Sequence, residues 1–423
     1  MQRRDFLRLS GLAVLPLVTR TVLPAGLSVW AGPSDSESLA DDAAAQLGAA
    51  ADGARWDRVL ILVELAGGND GLNTVVPHAD DAYYRARPTL AVKKHECLTL
   101  DDALGLNPAL APLHEIWQAH KLALVLGVGY ANPNRSHFRS IEIWETGSDS
   151  DEVRQDGWLA DVFRGAPRPA QLAAESIILG PKGDAGAVAG VHMRNLVMQD
   201  PTAFSNQAKR LAPASGVAPN PALAHLNRVR VELRDAASRI EQRLKATPRI
   251  ATQFPKTPLG RQLETAARLV ISGVPVLVIK ATLTGFDTHT QQSAQQTRLL
   301  TELAAALGAL RTALIAGDQW QRVLIMTYSE FGRRVAENGA RGTDHGTAAP
   351  HFLAGGVVKG GLYGKQPSLT DLLSGDLKHA VDYRRLYSTI AKEWWQLPTL
   401  DDTLKAHAPL ECIAATTRKR DSF

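Results

Sequence analysis

Cysteine is scarce in this sequence, which has only Cys97 and Cys412 among its 423 residues. Two cysteines so far apart are too few to predict a disulfide framework. A long apolar run is also missing from the N-terminus, where residues 9–18 are apolar but are interrupted by Pro16 and followed closely by Arg20. This run is too short to cross a bilayer as a helix, so we expect no membrane span in the mature protein.

The chain has little excess charge of either sign, since 47 basic and 43 acidic side chains give a net charge of +4. No dense stripe of lysine and arginine with interleaved aromatic residues occurs, so we do not expect a nucleic-acid partner. No Gly-x-Gly-x-x-Gly motif follows the first predicted strand, which argues against a dinucleotide-dependent oxidoreductase. The hydrophobic fraction of 45% is that of an ordinary globular protein.

Residues 1–31 resemble a bacterial twin-arginine signal peptide. Arg3 and Arg4 stand directly before a Phe-Leu pair and a short apolar segment, and a small residue suitable for cleavage is found at Ala31. Such a signal predicts export by the twin-arginine translocase to the periplasm or cell envelope. The alternative is an ordinary amphipathic first helix.

Residues 32–56 are rich in serine, aspartate, alanine and glycine and have no apolar period, so they are predicted to form a linker. Residues 57–423 then remain for the folded domain.

Short apolar runs alternate with segments of helical periodicity in this domain. Strands are predicted at residues 58–65, 122–128, 176–179, 274–279, 322–327 and 352–358. Helices are predicted after Asn107, after Ser136 and at residues 226–244, 303–314 and 383–395. This alternation predicts an α/β domain with a mostly parallel central sheet and helices on both faces.

Acidic and histidine side chains stand next to the ends of these predicted strands. In an open α/β sheet the ligand site lies beyond the carboxyl ends of the strands, so we expect these side chains to converge there. The predicted metal ligands are Asp70, Asp287, His289, Glu330, Asp344 and His345. Carboxylates mixed with imidazoles suit zinc, manganese or iron better than calcium, and we expect one or two divalent ions, zinc or manganese. For Asp70 the alternative is a solvated side chain in an Asp-Gly turn.

A second set of candidates lies where the strand at 122–128 leads into a helix. Ser136 would stand near backbone N–H groups that stabilise an anion, and a bound cation could lower the pKa of its hydroxyl and make it nucleophilic. Alternatively, Ser136 is only a helix cap. His137 and Arg139 are candidate contacts for an anionic substrate, or polar residues on an exposed helix face.

Five segments together resemble the DUF1501 family, an exported family without an assigned function. They are residues 67–74, 132–138, 286–289, 329–333 and 343–347. The resemblance runs from about residue 57 to the end of the chain. It implies an alkaline phosphatase-like α/β fold of the alkaline phosphatase and sulfatase superfamily, in which a metal-assisted nucleophile attacks phosphate or sulfate esters.

The resemblance also implies roles for single residues. Asp70, Asp287 and His289 would be metal ligands, although the last two are more closely spaced than usual in the superfamily. Ser136 would be the nucleophile.

The remaining ligands are less regular. Glu330 would replace the aspartate of an Asp-His pair whose histidine is missing, and His345, beside Asp344, would be the last ligand. In the other alignment Asp344 and His345 are the pair, and His379 is the last ligand. Either way one ligand of the superfamily is altered.

The sequence thus favours a metal-dependent hydrolase of sulfate or phosphate esters that acts on a small anionic substrate in the cell envelope. The alternative is a catalytically degenerate member of the superfamily that serves as a binding or scaffold protein. An oxidoreductase is a third and weaker interpretation.

Overall fold

The computed structural model describes residues 54–180, 183–211 and 220–415, and only the backbone of residues 20–22 and 28–30. The predicted signal peptide and linker lie almost entirely outside the described residues, and both stay predictions.

Sixteen strands are formed by the described residues. They are β1 (Arg20–Val22), β2 (Ser28–Trp30), β3 (Val59–Ala66), β4 (Val75–Val76), β5 (Leu98–Thr99), β6 (Gly105–Leu106), β7 (Leu122–Gly129), β8 (Ala174–Leu179), β9 (Asn195–Met198), β10 (Val276–Thr284), β11 (Val323–Tyr328), β12 (Ala349–Gly355), β13 (Gly361–Gly364), β14 (Leu372–Leu373), β15 (Asp376–Leu377) and β16 (Val381–Asp382).

The helices surround these strands. The α-helices are α1 (Asp81–Ala86), α2 (Ala111–Gln118), α3 (His137–Thr146), α4 (Trp158–Arg164), α5 (Pro201–Lys209), α6 (Pro221–Ala246), α7 (Pro258–Ile271), α8 (Gln292–Ala316), α9 (Arg384–Ser388) and α10 (Asp402–Lys405). A π-helix at Thr389–Trp394 continues α9, and single 3₁₀ turns lie at Gly71–Asn73, Lys94–Glu96, Pro108–Leu110, Gly186–Val188 and Trp320–Arg322.

The main sheet has 11 strands in the order β1-β2-β9-β8-β10-β3-β11-β12-β7-β13, and β16 also pairs with β7. Strands β9, β8, β10, β3 and β11 are mutually parallel. Strand β12 is antiparallel to both of its neighbours, β11 and β7. The prediction of a mostly parallel sheet in an α/β fold is therefore confirmed. The reversal of β12 was not predicted, because an apolar run does not show in which direction its strand runs.

Both faces of the sheet are covered. On β3, Ile61 and Val63 belong to one hydrophobic core while Leu60 and Leu62 belong to the other, because successive side chains of a strand point to opposite faces. Residues of α2, α5, α6, α7 and α8 fill the first core, and residues of α3, α4 and α9 fill the second. This confirms the predicted helices on both sides.

Within the described part of the chain, α8 is the one helix whose length and apolar composition would allow it to cross a membrane. Its leucines, among them Leu299, Leu303 and Leu310, are completely or almost completely buried in the first core. The same apolar residues that give α8 its composition thus belong to the core between the helices and the sheet.

Several elements were not predicted from the sequence, among them the strands β9 and β13 and the helices α4, α5 and α7. Helix α8 also begins at Gln292, eleven residues before the predicted segment, and the predicted helix at 383–395 is divided between α9 and the π-helix. These differences concern the covering helices and strands towards the two ends of the main sheet, while the central strands β10, β3 and β11 lie where they were expected.

One buried side chain of β12 should make stability depend on pH. His351 is 1% exposed, and burial lowers the pKa of its imidazole to about 3. At a pH between the usual pKa near 6.5 and this lowered pKa, only the unfolded chain binds a proton on His351. The contribution of the buried neutral imidazole to stability is therefore complete above pH ~6.5 and decreases as the pH falls. We expect His351 to contribute a slope of about 1.4 kcal/mol per pH unit to the free energy of unfolding in this window.

Urea unfolding between pH 7 and pH 5 measures this slope. The variant His351→Gln should lose the contribution, whereas His95→Gln, which changes an exposed histidine, should keep it. Equal slopes in wild-type protein and His351→Gln would show that the buried imidazole is not responsible.

Candidate functional site

The predicted site residues lie on loops at one edge of the main sheet. Strands β3, β10 and β11 are parallel neighbours, so the loops that follow them open on the same edge. The loop after β7 leads to this edge and starts α3 at His137. The reversed direction of β12 brings His345, which precedes that strand, to the same place.

Asp287, which follows β10, is the centre of the arrangement. Its Oδ1 lies 3.0 Å from Nε2 of His289 and 3.1 Å from Nε2 of His345. These two nitrogens are 2.9 Å apart. Its Oδ2 lies 3.4 Å from Nε2 of His137. His137, Asp287, His289 and His345 are called the histidine–aspartate cluster below.

The second ring nitrogen of each histidine in the cluster faces an oxygen atom. Nδ1 of His137 lies 2.8 Å from Oε1 of Glu330. Nδ1 of His289 lies 3.3 Å from Oδ1 of Asp344. Nδ1 of His345 lies 2.9 Å from the backbone carbonyl oxygen of Arg135.

These oxygen atoms determine the tautomers. A carbonyl or carboxylate oxygen accepts a hydrogen bond, so a neutral imidazole beside it carries its proton on Nδ1 and keeps a lone pair on Nε2. Nε2 of His137 is buried and has no hydrogen-bond partner in the described part of the chain. Three imidazole lone pairs therefore point towards the carboxylate of Asp287, which is itself an acceptor.

Arg333 fixes the loops around the cluster. Its fully buried guanidinium donates to Oδ1 of Asp287 at 2.8 Å. It also donates to the carbonyl oxygens of Gly68 at 2.7 Å and of Thr343 and Phe286 at 2.9 Å. The loops after β3 and β10 and the loop before β12 are thus held by one side chain.

A glycine is required where the loop after β3 passes the cluster. Gly67 has a φ of +117°, and a Cβ on it would lie 2.4 Å from the backbone nitrogen of Asp287. Its N–H donates to Oε1 of Glu330 at 2.8 Å. The same carboxylate oxygen therefore holds both this loop and His137, and only glycine allows the approach.

Their surroundings favour the ionised forms of Asp287 and of Asp344, which lies next to the cluster. Burial acts to raise the pKa of Asp287, but the hydrogen bond from Arg333 and the proximity of the imidazole of His345 outweigh it and bring the pKa to about 2. The hydrogen bond to Glu330 raises the pKa of His137. The hydrogen bond from Asn338, helped by His289, lowers the pKa of Asp344.

Asp70 lies outside the cluster, although it was predicted as a ligand. Its side chain is completely buried, and its Oδ2 lies 2.6 Å from Nη1 of Arg87. The side-chain amide of Gln292 donates to the same oxygen. Arg87 also donates to Oδ1 of Asn73 at 2.8 Å. Asp70 is therefore not a solvated turn residue. Its Oδ2 is used by Arg87 and Gln292, and its charge is balanced by Arg87.

The predicted catalytic residues are placed differently from one another. Ser136 is the exposed N-cap residue of α3, and its hydroxyl makes no capping hydrogen bond there. His137 belongs to the cluster. Arg139 pairs with Glu142 at 3.0 Å and donates to the carbonyl oxygen of Ser150 at 3.1 Å, away from the cluster. His379, the alternative last ligand, lines a neighbouring cavity.

Sequence reasoning missed three features of this site: the place of His137 among the histidines, the role of Arg333 and the pairing of Asp70 with Arg87. Arg333 stands in the same short segment as the predicted ligand Glu330, and this closeness in sequence was the available indication that Arg333 belongs to the site. Nothing in the sequence around Arg87 indicated its partner.

The family model described as "Protein of unknown function (DUF1501)" matches residues 57–399. The chain belongs to the DUF1501 family. The resemblance of the five sequence segments is thereby confirmed, and all members of the histidine–aspartate cluster lie within the matched range of this DUF1501 protein. No curated protein sequence matches the chain.

Several solved structures resemble this DUF1501 protein. Ps i-CgsB in complex with k-i-k-neocarrahexaose has a TM-score of 0.40 and 10% identity, over 84% of this chain and 75% of that chain. The PsFucS1 sulfatase from Pseudoalteromonas sp. has a TM-score of 0.38 and 10% identity, over 95% and 80% of the two chains. The C-terminal periplasmic domain of EcEptC from Escherichia coli, in complex with Zn, has a TM-score of 0.38 and 10% identity, over 94% and 93%. At these values the matches say nothing on the function of this chain.

Proposed function

We propose that this DUF1501 protein is a metal-dependent hydrolase of sulfate or phosphate esters in the cell envelope. The observation that carries the proposal is the convergence of Nε2 of His289, Nε2 of His345 and the carboxylate of Asp287, with separations of 2.9 to 3.1 Å. Tetrahedral ligands at about 2.0–2.1 Å from a zinc ion stand about 3.3 Å apart, so this set fits one small divalent cation.

His137 is the fourth proposed ligand. Its Nε2 faces Oδ2 of Asp287, and His137, Asp287 and His345 each place a ligand atom within 4.8 Å of the others. In one arrangement, Asp287 and His345 bind a single ion together with His289 and His137. In the other, Asp287 and His345 are shared between two ions. We assign Glu330 and Asp344 to the orientation of the histidines and not to direct coordination.

A divalent cation in this position would neutralise the ester oxygens and lower the pKa of an attacking hydroxyl group. The residues of the chain supply the remaining requirements. Ser136 is exposed at the N-terminal end of the ten-residue helix α3, next to His137 in the sequence, and its hydroxyl makes no capping hydrogen bond; we propose it as the nucleophile. Arg139 is assigned to holding the carbonyl groups of the loop after α3.

Two measurements on purified protein test this function together. Elemental analysis should find a bound divalent metal, and a panel of aryl sulfates and aryl phosphates should include a substrate. A folded protein that takes up no metal and cleaves none of these esters would support the scaffold alternative. The envelope location rests on the predicted twin-arginine signal.

The orienting role of Glu330 gives a graded prediction. Outer partners of metal-bound histidines typically contribute 10- to 100-fold in metal affinity, so Glu330→Ala should weaken metal binding by about that factor without abolishing it. Competition with a chelating dye measures the affinity. Glu115→Ala, which changes an exposed glutamate of α2, is the matched control. Unchanged affinity in a folded Glu330→Ala protein would argue that His137 is not a ligand.

A further inference from the structure

A cavity of about 620 Å³ adjoins the histidine–aspartate cluster. This volume is in the range of about 300–1,000 Å³ that small-molecule sites have. Phe331 lies between the two: its ring centroid is 4.6 Å from that of His345 and 5.0 Å from that of His137, and its side chain also lines the cavity. A molecule whose ester group is at the cluster would therefore extend its organic part into this cavity.

The cavity walls have apolar surfaces of the kind that hold a flat ring. Tyr130 and Pro133 lie on one wall, in the loop between β7 and α3, and Leu377 lies on the other, in the β14–β15 hairpin. Phe331 lies at the end nearest the cluster, where its ring contacts His137 and His345. Aromatic and proline side chains pack well against planar organic groups.

The charged groups of the cavity are mainly basic. The guanidinium of Arg135 forms an ion pair with Asp376, whose side chain is 1% exposed. Arg334 approaches the same carboxylate, with Nε 3.7 Å from Oδ1. One buried acid thus stands between two arginines, and Lys378 and His379 add further basic groups to the wall. Lys378 also pairs with Asp371, but both are well exposed, and exposed ion pairs are weak.

Arg135 connects the cavity to the cluster. Its backbone carbonyl accepts the hydrogen bond from His345, while its side chain, held by Asp376, lines the cavity and is 37% exposed. The N–H groups that the Asp376 pair does not use can therefore donate to a ligand. An anionic group bound there would stand at a fixed distance from the ester.

We infer that this cavity binds the organic part of the ester through a second anionic group, and that the substrates are aromatic or similarly flat esters that carry a carboxylate, sulfate or phosphate besides the scissile one. The inference rests on the proposed hydrolase function. Arg135 is the specificity-determining residue, and Asp376 is a positioning residue that acts through Arg135.

Turnover of matched esters tests the inference. The wild-type protein should have a kcat/KM for 4-carboxyphenyl phosphate or sulfate that is roughly 10- to 100-fold above that for the phenyl ester, the factor that a hydrogen bond to a charged group confers. Arg135→Gln should bring this ratio close to one, mainly through KM, and Asp376→Asn should lower it partly. Arg85→Gln, which changes an exposed arginine of α1, should keep the ratio. An equal loss for both esters in Arg135→Gln would overturn the inference.

Binding of the organic part alone separates the two proposals. By calorimetry, the wild-type protein should bind 4-hydroxybenzoate at least about tenfold more tightly than it binds phenol. The variant Arg135→Gln should bind 4-hydroxybenzoate at least about tenfold more weakly than the wild-type protein does. If this binding is found but no ester is cleaved, the hydrolase proposal fails and the cavity assignment holds. If esters are cleaved without a preference for the carboxylate, the cavity assignment fails and the hydrolase proposal holds.

Discussion

The variant Asp287→Ala is expected to lose metal binding and to lower kcat/KM for aryl esters by at least about 10³-fold, because a metal ion supplies several kcal/mol of transition-state stabilisation. In the described part of the chain, Asp287 is the side chain that contacts all three of His137, His289 and His345. Its removal leaves the three imidazoles without the anionic ligand that would balance the charge of the ion. Metal content by mass spectrometry and initial rates on aryl sulfates and phosphates measure both effects.

The control for this variant is Asp402→Ala, which removes an almost completely exposed carboxylate from α10. It should keep metal, activity and thermal stability. Asp287→Ala must also be shown to be folded by circular dichroism. A folded Asp287→Ala protein with the wild-type metal content would remove the basis for the proposed site.

The second large effect concerns stability. Arg87→Met is expected to lower the free energy of unfolding by about 3–5 kcal/mol, the cost of leaving one partner of a buried ion pair without the other. Both side chains of the pair with Asp70 are completely buried, so the remaining carboxylate could not be solvated in the folded protein. Urea unfolding at pH 7 measures the change.

The matched control is the double variant Asp70→Asn/Arg87→Met, which removes both charges. It should be more stable than Arg87→Met alone, because no uncompensated charge is left. Asp70→Asn by itself should keep the metal. Loss of metal from a folded Asp70→Asn protein would show that Asp70 is a ligand after all, as the sequence predicted.

The central strands could be predicted because they are buried on both faces and therefore read as continuous apolar runs. The prediction of a strand at residues 58–65 differs from the observed Val59–Ala66 by one residue at each end. The strand predicted from residue 274 begins at Val276, because Pro275 has no N–H group to donate to a parallel neighbour. Helix α5 was missed because the sequence around it is uneven in composition, but α7 did carry a signal, since Leu259, Leu263, Ala266 and Val270 recur at helical spacing.

The site could be predicted only in part. Strand ends place a residue at the correct edge of the sheet, and this brought Asp287, His289 and His345 together as expected. The position of a residue at a strand end does not determine where the side chain of that residue points. Asp70 reaches the same edge, but it faces Arg87, whose position depends on the loop after α1. His137 was assigned to substrate binding because the position of a helix start relative to the cluster depends on tertiary packing.

The most direct measurement is an anomalous difference map, collected at the zinc absorption edge from a crystal of the zinc-loaded protein. The proposed site requires a peak about 2.0–2.2 Å from a carboxylate oxygen of Asp287 and from Nε2 of His289 and His345, with Nε2 of His137 facing the same ion. A map without a peak at these residues, or with its strongest peak at Asp70, would contradict the account.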